Sequence, residues 1–192
     1  MSITQPIRDT TQLKMLKEYY YVTKPNLRNY ALICLGLNSA LRISDLLELK
    51  WGDVYDVEKK EFLGHIVIIE KKTGKENRIA LNKNAVSGLY EYQQTLDKIE
   101  LKSFLFPGQK KDAPLSRVQA FRIIKKAAKS LHLEKGISCH SMRKTFGYHA
   151  WQMGVPPAVL MDIYNHSSYQ ITKRYLGISQ QDRDNVFLEI NL

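Results

Sequence analysis

The chain has 192 residues, 44% of them hydrophobic and 25% charged, which is enough apolar material for one cored domain and too little length for several. Its 29 Lys and Arg against 19 Asp and Glu leave a net charge of +10. An excess of that size suits a polyanionic partner, because neutralised phosphates release condensed counterions; a basic surface without a specific ligand is the alternative. Cys34 and Cys139 show no CxxC spacing, the N-terminus MSITQPIRDT carries no apolar run, and the longest apolar stretch, residues 30–37, is too short to span a bilayer. These features argue against a zinc site, a disulfide scaffold, a signal peptide and a membrane partner, and for a reducing, cytoplasmic setting.

Asp9, Thr10 and Thr11 are candidate caps for a first helix carrying Leu13, Leu16 and Tyr20 at helical spacing. Pro25 and Asn26 interrupt it, and residues 27–41, nearly all apolar, read as a buried central helix. A short helix over 43–49 turns Leu46, Leu47 and Leu49 inward. Between 53 and 82 the pattern changes: runs at 65–69 and 78–81 flank Lys72-Thr-Gly-Lys75, which predicts a hairpin with a basic, glycine-containing tip. Helices are predicted over about 83–98, 116–131, 140–153, 156–164 and 179–190, with 106–114 a loop by composition. The Tyr19-Tyr20-Tyr21 cluster reads as packing rather than a stacking platform. The expected fold is mainly α with a small antiparallel β-hairpin or sheet (α+β), a single domain over 1–192 with no repeat or linker.

The chemistry-bearing residues are spread along this frame. His140 and Arg143 stand three apart on a predicted helix, so an imidazole and a guanidinium share a face. Arg offers a planar fork for two phosphate oxygens, and His moves protons. Arg42 lies between two apolar helical segments, with Asp45 close enough in sequence to orient it; a plain surface pair is the competing reading. Such cations beside a phenol suit a phosphodiester, whose developing charge must be stabilised while a hydroxyl is expelled.

Leu41-Arg42-Ile-Ser-Asp-Leu, a hairpin lysine, His140-x-x-Arg143, Asn165-His166-Ser-Ser and Tyr175, in that order, resemble the tyrosine recombinases, or phage integrases, over nearly the whole chain. The resemblance implies their catalytic-domain fold and a site of Arg42, Lys72, His140, Arg143, His166 and Tyr175. Tyr175 would form a 3′-phosphotyrosyl bond, with His140 taking its proton. Arg42 and Arg143 would grip the non-bridging oxygens, Lys72 would protonate the leaving 5′ oxygen, and His166 would bond a phosphate oxygen. No metal, ATP or other cofactor is implied. Lys71 and Lys75 compete with Lys72, since one step of register changes which lysine faces the site; Tyr164 and Tyr169 compete with Tyr175. Two departures stand out: Lys144 where the family usually has a second His, and Tyr164-Asn165 where Leu-Gly is common. Asn tolerates left-handed backbone, so the turn is expected to survive.

For double-stranded DNA, the expected contacts are Lys75 and Arg78 on the hairpin and Arg117, Arg122, Lys125 and Lys126 on the 116–131 helix. Val118, Phe121, Ile124, Ala128 and Leu131 are assigned to that helix's apolar face. The resemblance also implies a tetramer on DNA that is monomeric or weakly associated without it, and it admits an accessory directionality factor. No N-terminal clamp domain is expected in this sequence, which is either a naturally single-domain recombinase similar in size to the fimbrial-switch invertases or an excised catalytic domain. The apolar stretch 185–192 packs either in cis or on a neighbouring protomer. A DNA-binding regulator that keeps the fold without strand exchange, and a relaxing topoisomerase, are the competing functions.

Overall fold

The structure, a computed structural model, describes residues 4–110, 112–133 and 136–190. Lys111 of the predicted loop and Asn191 and Leu192 of the apolar terminus lie outside the described residues. Helix α1 (Thr10–Glu18) starts where Asp9 accepts from the Gln12 amide at 2.8 Å, and it runs into a π-helical turn, Tyr19–Thr23. Tyr19 and Tyr20 are buried there and Tyr21 is exposed, as packing residues rather than a platform. Asn26 caps α2 (Leu27–Asn38), the central helix, in which residues 31–37 are all buried. Helix α3 (Ile43–Leu46) is a single turn, shorter than the 43–49 expected.

Two small antiparallel hairpins follow: β1 (Tyr55–Asp56) with β2 (Glu61–Phe62), and β3 (His65–Ile69) with β4 (Glu76–Ala80). The second is the predicted one, and the first carried too little alternation to be read. Helix α4 (Lys83–Gln93) stops short of residue 98 because the Thr95 hydroxyl takes the Tyr92 carbonyl at 2.7 Å, turning the chain away. Then come α5 (Arg117–Ser130), α6 (Cys139–Gln152), α7 (Pro157–Tyr164), α8 (Tyr169–Leu176) and α9 (Gln180–Glu189). Helix α8 was not anticipated, although Ser168 at its start and left-handed Gly177 (φ 74°) at its end are start and stop signals of the usual kind.

The main core gathers α1–α6 around Leu32, Ile33, Leu35, Leu46, Leu89 and Ile124. A smaller cluster of Ala40, Leu160, Tyr164 and Leu176 joins α7 and α8 to α6. Gly147 makes that junction: a Cβ there would collide with the Tyr164 hydroxyl and with Leu176. Before α1, residues 4–8 cross the molecule as a strap. Its Thr4 carbonyl accepts from Lys144 Nζ at 2.7 Å, the Ile7 amide donates to Thr145 Oγ1 at 2.9 Å, and Arg8 donates to the Gly177 carbonyl at 2.6 Å. Cys34 and Cys139 are buried and unpaired, and burial pushes each thiol up to about 11. Among the described residues no helix is long and apolar enough to cross a membrane.

Candidate active site

The site is assembled where the link between α2 and α3, the β3–β4 hairpin, α6 and the α7–α8 turn converge. Ala40 adopts left-handed backbone (φ 52°), a rare conformation for a residue with a Cβ. It turns the chain so that its carbonyl receives Arg143 Nη1 while Arg42 begins α3. Arg42 Nη1 lies 2.6 Å from Glu70 Oε2, and Glu70 is the hub of the hairpin turn. The same carboxylate accepts from Thr73 Oγ1 at 2.8 Å and from Asn77 Nδ2 at 3.2 Å. Burial pushes the Glu70 carboxyl up, but the hydrogen bonds from Arg42 and Thr73, the Arg42 charge and Asn77 outweigh it, leaving the group below its ordinary range.

This corrects the expected role of Asp45. Its Oδ1 accepts from the Lys71 amide at 3.2 Å and from Ser44 Oγ at 3.4 Å, so it pins the hairpin backbone rather than orienting Arg42. Asp45 sits in the first turn of α3 facing the hairpin, whereas Glu70 closes β3 with its side chain against Arg42. Sequence reasoning missed Glu70. The available signal was an acid ending an apolar strand immediately before a lysine pair.

Among the hairpin lysines, Lys71 pairs with Glu48 at 2.7 Å and Lys75 Nζ donates to Asn165 Oδ1 at 3.2 Å. Lys72 lines the groove that also holds Arg42 and His140. Lys71 lines the same groove, and Lys72 differs from the other two in making no side-chain bond among the described residues.

Helix α6 carries the floor and the rim of the pocket. Arg143 is buried: Nη2 approaches the Tyr164 carbonyl at 3.5 Å, its guanidinium stands 4.6 Å from the Tyr164 ring centre, and the Tyr164 hydroxyl returns a 2.7 Å bond to the Arg143 carbonyl. His140, one turn earlier, is exposed at the rim. Desolvation, then the Lys144 and Arg143 charges, hold its imidazole below the ordinary value, so it is neutral near pH 7.

Asn165 keeps the expected left-handed turn (φ 52°, ψ 52°) after α7, and His166 follows with Nδ1 3.0 Å from Thr172 Oγ1. Burial, then Arg143, Arg42 and Lys72, depress its pKa. The His166 ring meets the Tyr175 ring edge-on at 5.2 Å and stacks on Tyr164 at 5.5 Å. Burial raises the Tyr175 phenol above its ordinary value, while the Arg143 charge and hydrogen bond and the Arg42 charge oppose the rise. Lys144, the departure from the usual second His, holds its ammonium 5.2 Å from the Tyr175 ring centre. Arg42, Arg143 and His166 therefore face the Tyr175 phenol, with Lys72 and His140 on the adjoining groove. Tyr164 is fully buried and its hydroxyl is committed to backbone, which removes it as a competing nucleophile.

The Phage integrase family matches residues 9–182. The chain belongs to this family. It is 41% identical over 180 residues to the Probable integrase/recombinase YoeC of Bacillus subtilis (strain 168), covering 94% of this chain and 93% of that one. It is 31% identical over 159 residues to a Tyrosine recombinase of Pseudothermotoga lettingae, covering 82% of this chain and 52% of that protein. The XerA recombinase crystal structure superposes with a TM-score of 0.76 at 18% identity, over 100% of this chain and 66% of XerA. XerH bound to palindromic difH, a post-cleavage complex, gives 0.73 at 19% identity, over 95% of this chain and 51% of XerH. The chain thus matches nearly the whole of YoeC but about half of the other relative and of XerH. The expected recombinase fold and family are both found.

The expected DNA contacts divide. Arg117 lines the groove beside Lys71, Lys72 and His140, and Arg122, Lys125 and Lys126 are exposed along α5. Lys75 is bonded to Asn165 at the pocket edge, and Arg78 lies 3.5 Å from His65 on the hairpin. The apolar face of α5 is found in part: Ile124 and Ala128 are buried and Leu131 packs on the core as expected, with Ala120 and Ala127 buried beside them, whereas Val118 and Phe121 are exposed. Ala120, Ala127 and Ala128 flank Ile124 on the core side, so the helix is rotated enough to leave Val118 and Phe121 outside.

Proposed function

We propose that the protein is a site-specific DNA recombinase that cuts and rejoins strands through Tyr175. The Tyr175 oxygen attacks the scissile phosphorus as the bond to the 5′ oxygen breaks, leaving a 3′-phosphotyrosyl ester; Lys72 supplies the proton to the departing 5′-hydroxyl. Arg42 and Arg143 hold the non-bridging oxygens. The phosphodiester is exchanged for an ester of similar energy, so a second 5′-hydroxyl can reverse the step without ATP, and the cations belong to the chain itself. The observation carrying this reading is the convergence of Arg143, Arg42 and His166 on a single half-buried phenol.

The phenol proton has two candidate acceptors. His140 is the base by resemblance. His166 is favoured by its contact with the Tyr175 ring and by an Nδ1 anchored on Thr172, which orients the other ring nitrogen.

Helix α9 exposes Val186, Phe187 and Leu188, with Ile190 following it, which supports docking in trans: four copies closing around two duplexes, weakly associated or monomeric without DNA. The exchange is nearly isoenergetic, so an accessory directionality factor belongs to the proposal, as does action at the nucleoid. The test is a nicked suicide duplex drawn from sequences the protein selects out of a random pool. A denaturation-resistant adduct that disappears with Tyr175→Phe is expected. Selective binding without an adduct would instead identify a regulator.

A further inference from the structure

Burial of Ala120, Ile124, Ala127 and Ala128 fixes the rotation of α5. That rotation leaves Val118 58% and Phe121 44% exposed, one helical turn apart. Both line the groove that holds Arg42, Lys72, Arg117 and His140. Phosphate gains nothing from a valine or a phenyl ring, so this pair is unexplained by backbone binding alone. A second copy of the chain is a poor occupant, because Arg117, Arg122 and Lys72 would meet their like.

We propose that Val118 and Phe121 read thymine methyl groups in the major groove, setting base preference next to the scissile phosphate. This rests on the recombinase reading. The C5-methyl is the one apolar group a base pair displays, and it is displayed only in the major groove, which is wide enough for a helix. Arg117, adjacent to Val118, offers a guanidinium fork for a neighbouring guanine. An apolar pair flanked by cations therefore matches a duplex on both counts: phosphate to the charges, methyl to the ring.

The test starts from duplexes enriched by the wild-type chain out of a random pool. Replacing individual thymines by deoxyuridine removes only the methyl. At one or two positions near the cleavage point this should weaken wild-type binding roughly fourfold per methyl, the worth of one buried CH₂-sized group. Phe121→Ala or Val118→Ala should be indifferent to that change at its own position. Both variants should keep the wild-type salt dependence, whereas Arg122→Ala lowers the slope by about one phosphate. Wild-type indifference to deoxyuridine, with the Tyr175 adduct still forming, overturns the methyl contact alone. An equal loss of affinity for every duplex in Phe121→Ala also overturns it, as does a shift in sedimentation of the DNA-free variant. Failure to enrich any sequence, with no adduct, overturns the recombinase reading and this inference together.

Discussion

Replacing Glu70 with alanine strands the Arg42 guanidinium and two further donors, Thr73 Oγ1 and Asn77 Nδ2. The side chains are 18% (Arg42) and 4% (Glu70) exposed. Breaking such a pair from one side costs 3–5 kcal/mol when fully buried, and the partial exposure of Arg42 places this one near the lower end, about 3 kcal/mol. For a chain of this size that lowers the melting temperature by about 6–12 °C. Thermal unfolding followed by circular dichroism reads it directly, and a cycle with Arg42→Ala isolates the pair: the double variant should lose clearly less than the sum of the single losses. The sign of the pH dependence follows from the depressed Glu70 pKa. Its stabilisation is complete above the ordinary carboxylate value of the unfolded chain and fades as pH falls through the lower folded value. Glu70→Gln should therefore lag the wild type by a constant margin near neutrality, and by a shrinking one in acid. A drop of under about 2 °C in Glu70→Ala, or strictly additive losses, would refute the hub role.

Gly147→Ala, which would stabilise an open helix by about 1 kcal/mol, should instead destabilise the fold by about 1–3 kcal/mol through overpacking on Tyr164 and Leu176; the urea midpoint checks the sign. His140 and His166 both titrate below their ordinary value, so cleavage should rise with pH along an acid limb centred below about 6.5. Glutamine at whichever histidine is the base should abolish that limb and leave the other's profile intact. Lys72→Ala should lose cleavage of an ordinary duplex by about 10²–10⁴-fold yet recover most of it when the leaving 5′ oxygen is replaced by sulfur, a leaving group that needs no proton. No recovery would move the acid role to Lys71 or Lys75.

Residues 27–37, 65–69 and 139–152 were legible because a single local rule governs each: an apolar run, strand alternation with a glycine turn, and a helix with a polar start. The motif order from Arg42 to Tyr175 was legible for the same reason, since side-chain chemistry is written in the chain. What escaped depends on long-range geometry. Glu70 meets Arg42 only after the hairpin folds over α3, so proximity in sequence favoured Asp45. The rotation of α5 is decided by how closely alanines let it approach its neighbours, a question of fit that hydrophobicity alone answers wrongly for Val118 and Phe121. Helix α8, eight residues long, is too short for periodicity to reveal, and the flanking Ser168 and Gly177 were the local signals that went unread.

The strap of residues 4–8 ties the segment before α1 to the turn between α8, which carries Tyr175, and α9. Arg8 holds the carbonyl of Gly177, two residues beyond Tyr175, and also reaches Asp182 in α9 at 3.6 Å. Arg8 thus links the segment ahead of α1 to the turn that separates α8 from α9. Trimming by a protease up to Asp9, or a bulky fusion there, would remove that tether and leave α8, with Tyr175, held by its packing on α6 and α7, while Arg42 and Arg143 kept their own anchors on Glu70 and Ala40.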